Sequence, residues 1–151
     1  MKKALFAIFI AMTLFAIPAL AEITVEFAGE FVITHPDDLE TIELTPDDLS
    51  EGMVYCASSD DVDLYIWSGD MDGMTADELY LAWQDDEYLM NVSFRDLGSV
   101  RMLGYDIEEE GKGAVIAGVN DSYYEIICYY EYEDDDVVEL ARMIMDSISL
   151  K

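Results

Sequence analysis

The sequence has few basic residues and a single histidine. Of its 151 residues, 7 are Lys or Arg and 34 are Asp or Glu, so the formal net charge at pH 7 is −27. Nucleic acids and anionic membranes are bound through basic faces, and this charge therefore argues against both as partners. His35 stands directly before Pro36, and we interpret it as an exposed loop histidine.

The scarcity of histidine and cysteine also limits the catalytic and metal sites that the chain can form. A conventional zinc site or a Ser–His or Cys–His catalytic pair needs more of these side chains at suitable spacing than the chain supplies. No Gly-x-Ser-x-Gly elbow and no phosphate-binding glycine loop occurs. We therefore expect a non-catalytic protein. A hydrolase remains a less favoured alternative, because some pair among 34 carboxylates will always lie close together.

The chain has only two cysteines, Cys56 and Cys128. An even number in an exported chain permits one disulfide, and both residues lie in predicted strands. A disulfide between them would close a loop of 72 residues, which would stabilise the fold by roughly 4 kcal/mol. The alternative is a pair of buried free thiols.

The longest apolar run lies at the N-terminus. Lys2 and Lys3 precede a predominantly apolar run of 14 residues, 4–17, and Ala19-Leu20-Ala21 matches a cleavage site. This pattern predicts a signal peptide at residues 1–21, cleaved before Glu22, and hence a secreted or extracytoplasmic bacterial protein without a remaining membrane span. A retained N-terminal anchor is the alternative.

The remaining residues, 22–151, are enough for one domain with one core. The predicted signal peptide contains two basic residues and no acidic one, so residues 22–151 have five basic and 34 acidic residues, a net charge of −29. About half of the residues are apolar, which favours a folded core over disorder despite this charge.

The hydrophobic pattern predicts an α+β fold organised around the C-terminal third. Two apolar, Tyr-rich strands at residues 114–119 and 123–132 precede an amphipathic helix over 137–148. Further strands are predicted at 22–27, 31–34, 53–57, 62–68 and 100–107, a single helical turn at 46–50, and a helix over about 75–86 that begins with the capping box Thr75–Glu78. Residues 88–94 fit either a helix extension or a strand, and 95–99 are predicted to be a turn. We expect a mainly antiparallel sheet of about six to seven strands, with a central and a C-terminal helix packed on it.

This order of elements resembles the PsbP-like or DcrB-like small exported domains. In that group a strand ends in a Pro-Asp loop, as residues 31–37 do here, and the last helix ends in a Ser-Ile pair, as Ser147-Ile148 does. The resemblance implies a curved antiparallel sheet covered by helices, and accessory or binding roles more than catalysis. It transfers no site residues.

One acidic loop partly matches a calcium-binding loop. Asp70, Asp72 and Gly73 occupy positions 3, 5 and 6, but Ser68 at position 1 and Leu79 at position 12 lack the carboxylates of an EF-hand. A looser calcium site remains a hypothesis, with ligands among Asp60, Asp61, Asp63, Asp70 and Asp72. The alternative is an acidic turn before a capped helix. We predict no other cofactor.

Aromatic residues suggest a second kind of site. Tyr65 and Trp67 alternate with Val62, Leu64 and Ile66, so they lie on the opposite face of their strand. An exposed Tyr and Trp surface on a sheet can bind protein, peptide or carbohydrate, and we predict one at Tyr65, Trp67, Tyr123 and Tyr129. Ordinary strand composition is the alternative.

The favoured function is therefore that of an exported, strongly acidic, non-catalytic accessory or binding module that uses an exposed sheet face. A calcium-dependent binding module that uses the Asp60–Asp72 carboxylates is the alternative.

Overall fold

The computed structural model describes residues 21–151, so the predicted signal peptide lies outside this range except for Ala21. The described residues form ten strands and three helices. The strands are β1 (Glu22–Phe27), β2 (Phe31–Pro36), β3 (Glu40–Thr41), β4 (Met53–Ser58), β5 (Val62–Asp70), β6 (Leu89–Leu97), β7 (Val100–Ile107), β8 (Gly111–Val119), β9 (Ser122–Tyr130) and β10 (Ser149–Leu150). The helices are α1 (Pro46–Ser50), α2 (Ala76–Gln84) and α3 (Asp135–Asp146).

The strands form two antiparallel sheets. The large sheet has seven strands in the order β3-β4-β5-β9-β8-β7-β6, and the small sheet has three in the order β1-β2-β10. The predicted α+β class and mainly antiparallel pairing are confirmed. The predicted turn at 95–99 is wrong in part, because β6 continues to Leu97 and pairs with β7.

Local sequence signals fix where the helices begin. Thr45 before α1 and Thr75 before α2 each accept a hydrogen bond from the backbone three residues on, and Asp48 and Glu78 bond back to the capping residue. Asp134 caps α3 by accepting from two backbone amides. Acidic residues follow in the first turn of each helix, where they complement the helix dipole.

The main core lies on one face of the large sheet, which we call the first face. Helix α3 and the small sheet cover it. Helix α3 contacts β8 and β9 on one side and β2 on the other. Alternation along β5 directs Val62, Leu64 and Ile66 into this core. From α3 the buried residues are Val137, Ala141, Ile144 and Met145.

A smaller core lies on the second face of the large sheet, under α2. Leu79 and Tyr80 of α2 pack there against Leu103, Val115 and Ala117. The large sheet is therefore apolar on both faces, with α3 on one side and α2 on the other. None of the helices within residues 21–151 has the length and apolarity needed to cross a bilayer.

His35 is not the exposed loop residue that we predicted. It lies in β2 and is 1% exposed. Its Nδ1 lies 2.7 Å from the Pro36 carbonyl oxygen and its Nε2 lies 2.7 Å from the Tyr55 hydroxyl. A carbonyl oxygen can only accept, so Nδ1 donates, and the ring links the small sheet to β4. The prediction failed because β2 continues through Pro36.

The disulfide that the sequence permits between Cys56 and Cys128 is not present, and the structure has the alternative arrangement of two buried free thiols. Strand β5 separates their strands, which places them about 9–10 Å apart, beyond disulfide reach. Cys56 is opposite Tyr65 and Cys128 is opposite Leu64, so the two thiols point to opposite faces of the sheet. Burial raises the pKa of the Cys128 thiol to about 12.

This arrangement predicts that the native protein has two free thiols that react slowly. After unfolding without reductant, a maleimide should label both cysteines, as counted by mass spectrometry. The midpoint of thermal unfolding should be the same with and without reductant, because no covalent loop constrains the unfolded chain. A midpoint that falls on reduction would show that the two cysteines are bonded after all.

Candidate functional site

The second face of the large sheet is only partly covered. Helix α2 has nine residues and is about 13 Å long, whereas the nine-residue strands β5, β8 and β9 each extend about 30 Å. The helix packs over Val115 and Ala117 of β8. The part of the face beyond the C-terminal end of α2 stays open.

A groove of about 340 Å³ lies in this open part. We call it the aromatic groove. One wall comes from the end of α2 and the segment after it, and the floor comes from β7 and β9. Its lining residues are Ala82, Trp83, Asp86, Leu89, Tyr105, Ile107, Glu125, Ile127 and Tyr129. The volume is at the lower end of the range of small-molecule sites, roughly 300–1,000 Å³.

Glu125 is the polar group that the sheet directs into the groove. Its Oε1 accepts a hydrogen bond of 3.0 Å from the Tyr105 hydroxyl. Burial raises the pKa of the Glu125 carboxyl, and the hydrogen bond from Tyr105 offsets only part of this rise. Burial together with the neighbouring Glu125 charge raises the pKa of Tyr105, so Tyr105 remains a hydrogen-bond donor. The two side chains thus form a partly desolvated polar pair within an aromatic surface.

Glycines allow the aromatic rings to lie close to the sheet. Tyr105 is paired directly with Gly113 on β8, and a Cβ at Gly113 would stand 2.1 Å from a ring carbon of Tyr105. Tyr123 is paired with Gly69 on β5, and a Cβ there would stand 2.3 Å from the Tyr123 ring. Because neither glycine has a side chain, both rings can cover the backbone of the neighbouring strand.

The rings on this face form two groups. The centroid of Trp83 lies 5.8 Å from that of Tyr105 and 6.5 Å from that of Tyr123. Tyr65 and Tyr129 meet edge to face, with centroids 6.0 Å apart. These spacings lie within the range of favourable aromatic pairs. The contacts hold the rings in defined orientations.

All four predicted aromatic residues lie on this face. Tyr65 is opposite Ile127, Trp67 is opposite Glu125, and Tyr129 is opposite Asp63. Tyr129 is 37% exposed, and the other three are half-buried. Of the four, Tyr129 lines the aromatic groove and Tyr65 contacts its ring, whereas Tyr123 packs beside α2.

The sequence did not indicate that Trp83, Tyr105 and Glu125 line the groove. Trp83 belongs to a helix whose apolar pattern is weak, so its contact surface was not evident. Tyr105 could have been found by pairing the predicted strands at residues 100–107 and 114–119, since β7 lies beside β8 and β8 lies beside β9. The contribution of α2 is a tertiary contact with no local signal.

The five predicted calcium ligands do not form one site. Asp60, Asp61 and Asp63 lie at the start of β5, and Asp70 and Asp72 lie at its end, so about 20–30 Å of strand separates the two groups. Asp63 accepts from the Ser58 hydroxyl, and Asp70 accepts from the backbone amide of Asp72. Within residues 21–151, no three His, Cys, Asp or Glu side chains are grouped so as to hold a metal ion.

We predict from this that calcium affects the stability of the protein only through ionic strength. Millimolar calcium and sodium chloride of equal ionic strength should raise the midpoint of thermal unfolding by the same amount, since screening of dispersed carboxylates is common to both. Thermal unfolding in EDTA provides the baseline. A rise with calcium beyond that with sodium would mean that the native state has a specific site.

The burial of Glu125 predicts that Glu125→Gln stabilises the protein at pH 7. The raised pKa means that the folded state favours the protonated carboxyl, so ionised Glu125 lowers the free energy of unfolding at neutral pH. Gln is neutral and can still accept from Tyr105. The gain should vanish as the pH falls through the raised pKa and below the ordinary value of 4.5.

Chemical denaturation at pH 7 and pH 4 measures this effect, with Glu131→Gln as the control. Glu131 is exposed, so its substitution removes the same charge without relieving burial. The other titratable groups of the groove, Asp86, Tyr105 and Tyr129, are unchanged in both variants. Equal gains from both substitutions would show that Glu125 acts only through the net charge.

Comparisons with known proteins show the fold. No family model and no curated protein matches the sequence. Solved structures do match, among them the solution structure of cyanobacterial PsbP (CyanoP) from Synechocystis sp. PCC 6803. That protein is 14% identical, the alignment covers 90% of this chain and 96% of that chain, and the TM-score is 0.58. The chain therefore has a PsbP-like fold, as the resemblance in its sequence implied.

Proposed function

We propose that this protein is an exported, acidic, non-catalytic accessory domain that binds a partner through the aromatic groove. The observation that supports the proposal is the open part of the second sheet face, where half-buried Trp83 and exposed Tyr129 line the groove. The buried Tyr105 hydroxyl holds the Glu125 carboxylate in the same groove. The partner is a protein, a peptide or a carbohydrate.

The composition of the groove suits binding. Ligand sites are mostly apolar and aromatic, with a few polar groups that fix orientation. Trp and Tyr are also the residues that contribute most at protein interfaces, because they bury a large area at a low cost in side-chain entropy. In this groove Ile107 and Ile127 supply the apolar floor, and Glu125 with Tyr105 supplies the orienting polar pair.

The fold and the N-terminal sequence support the accessory role and the location. The PsbP-like fold fits the accessory or binding roles that the resemblance implies. The basic residues, apolar run and cleavage motif within residues 1–21 support export from a bacterial cytoplasm. An acidic surface with a net charge of −29 after removal of residues 1–21 favours solubility in that compartment.

The proposal predicts that ligands depend on Tyr129. Peptide and glycan arrays probed with the purified protein should give ligands whose affinity falls about tenfold or more with Tyr129→Ser, the usual effect of truncating an aromatic anchor. Tyr132→Ser is the matched control, since Tyr132 is 45% exposed and lies outside the groove. Array ligands that respond equally to both substitutions, or to neither, would count against the groove as the binding site.

A further inference from the structure

The aromatic groove has negative charges and no positive ones. Among its nine lining residues the charged side chains are Asp86 and Glu125, and none is Lys, Arg or His. Both acids belong to a chain with a large net negative charge, so the electrostatic field at the groove attracts cations.

The basic residues of the chain are engaged elsewhere. Each of the five in residues 22–151 contacts an acidic side chain or a backbone carbonyl away from the groove. Arg95 donates to the carbonyls of Asp146 and Ile148, and the other four pair as Arg101–Asp96, Lys112–Asp106, Arg142–Glu139 and Lys151–Glu26. Within the described residues, Glu125 therefore has a hydrogen bond from Tyr105 but no cationic partner.

A cation supplied by a ligand would stabilise the ionised form of Glu125. A partly buried carboxylate loses hydration, and an ion pair with further hydrogen bonds can replace that loss. Burial raises the pKa of Glu125, which is the sign of this uncompensated desolvation. A nearby positive charge would reverse the shift.

The remaining walls fit an organic cation better than a metal ion. Trp83 and Tyr129 line the groove with partly exposed rings, and the face of an aromatic ring attracts ammonium and guanidinium groups. Leu89, Ile107 and Ile127 offer an apolar surface for an alkyl chain, as Lys and Arg stems require. Calcium needs six to eight oxygen ligands, which two carboxylates and two hydroxyls do not supply.

We infer that the aromatic groove receives the side chain of a Lys or Arg residue from a basic peptide segment of the partner, with its charge on Glu125 and its stem between the rings. This inference rests on the proposed function and names the chemistry of the partner.

Two peptides that differ in one charge test the inference. Both have a single central lysine among glycine and serine, and in one peptide this lysine is acetylated. The probe is the indole N–H resonance of Trp83 during NMR titration, which detects weak binding. The lysine peptide should shift this resonance, and the acetylated peptide should bind at least tenfold more weakly.

A pair of charge-matched variants separates the groove from general attraction to an acidic protein. Glu125→Gln should weaken binding of the lysine peptide about tenfold, which corresponds to 1.4 kcal/mol. Glu131→Gln removes the same formal charge from an exposed site and should change the affinity less than twofold. Equal losses in the two variants would overturn the inference, because binding would then follow net charge alone.

The outcomes also distinguish this inference from the proposed function. If the acetylated peptide shifts the Trp83 resonance as strongly as the lysine peptide, the groove binds peptides but the cationic specificity is wrong. If neither peptide shifts it, the cationic inference fails, and the dependence of array ligands on Tyr129 decides the proposed function separately.

Discussion

The structure depends on the register of β9 in the middle of the large sheet. This strand pairs with β5 on one side and β8 on the other, and its alternate residues face different layers. Ile126 and Cys128 enter the core under α3, whereas Glu125, Ile127 and Tyr129 form the floor and rim of the groove. A slip of one residue would bury Glu125 under α3 and expose Ile126, so the stability of the core also fixes the composition of the groove.

The scarcity of basic residues shapes both stability and binding. Arg95 joins β6 to the C-terminal end of α3 through the carbonyls of Asp146 and Ile148, where a positive charge also complements the helix dipole. Lys112 and Asp106 form a half-buried pair on the α3 side of the sheet. Because the few basic side chains pair at these positions, the carboxylates of the groove have no basic neighbour within residues 21–151. The groove therefore shares the negative charge of the whole sequence.

Much of the fold could be predicted from the sequence because its signals are local. Alternation identified β5, the capping box at Thr75 marked the start of α2, and helical periodicity identified α3. The parts that could not be predicted depend on tertiary contacts. Strands β3 and β10 have two residues each, too few to produce a pattern. The separation of Cys56 from Cys128 and the division of the acidic residues between the ends of β5 follow from strand order, which spacing along the chain does not specify.

The candidate site was predicted only in part, because it combines local strand signals with tertiary contacts. Strand alternation placed Tyr65, Trp67 and Tyr129 on one face, but only the packing of α2 shows which part of that face stays open. Glu125 stands within a Tyr-rich strand, and its role depends on Tyr105 two strands away.

Glu125 is a position at which local sequence and global fold disagree. A charged residue at a half-buried position of a central strand lowers stability unless it is paired, and Gln or Thr would suit the fold better. Residues that reduce stability in this way are found preferentially at functional sites. Tyr105 makes the burial tolerable by donating one hydrogen bond, and Gly113 makes room for the Tyr105 ring. Two further residues thus accommodate this one carboxylate, which has no cationic partner within residues 21–151, and the proposed Lys or Arg side chain would supply one.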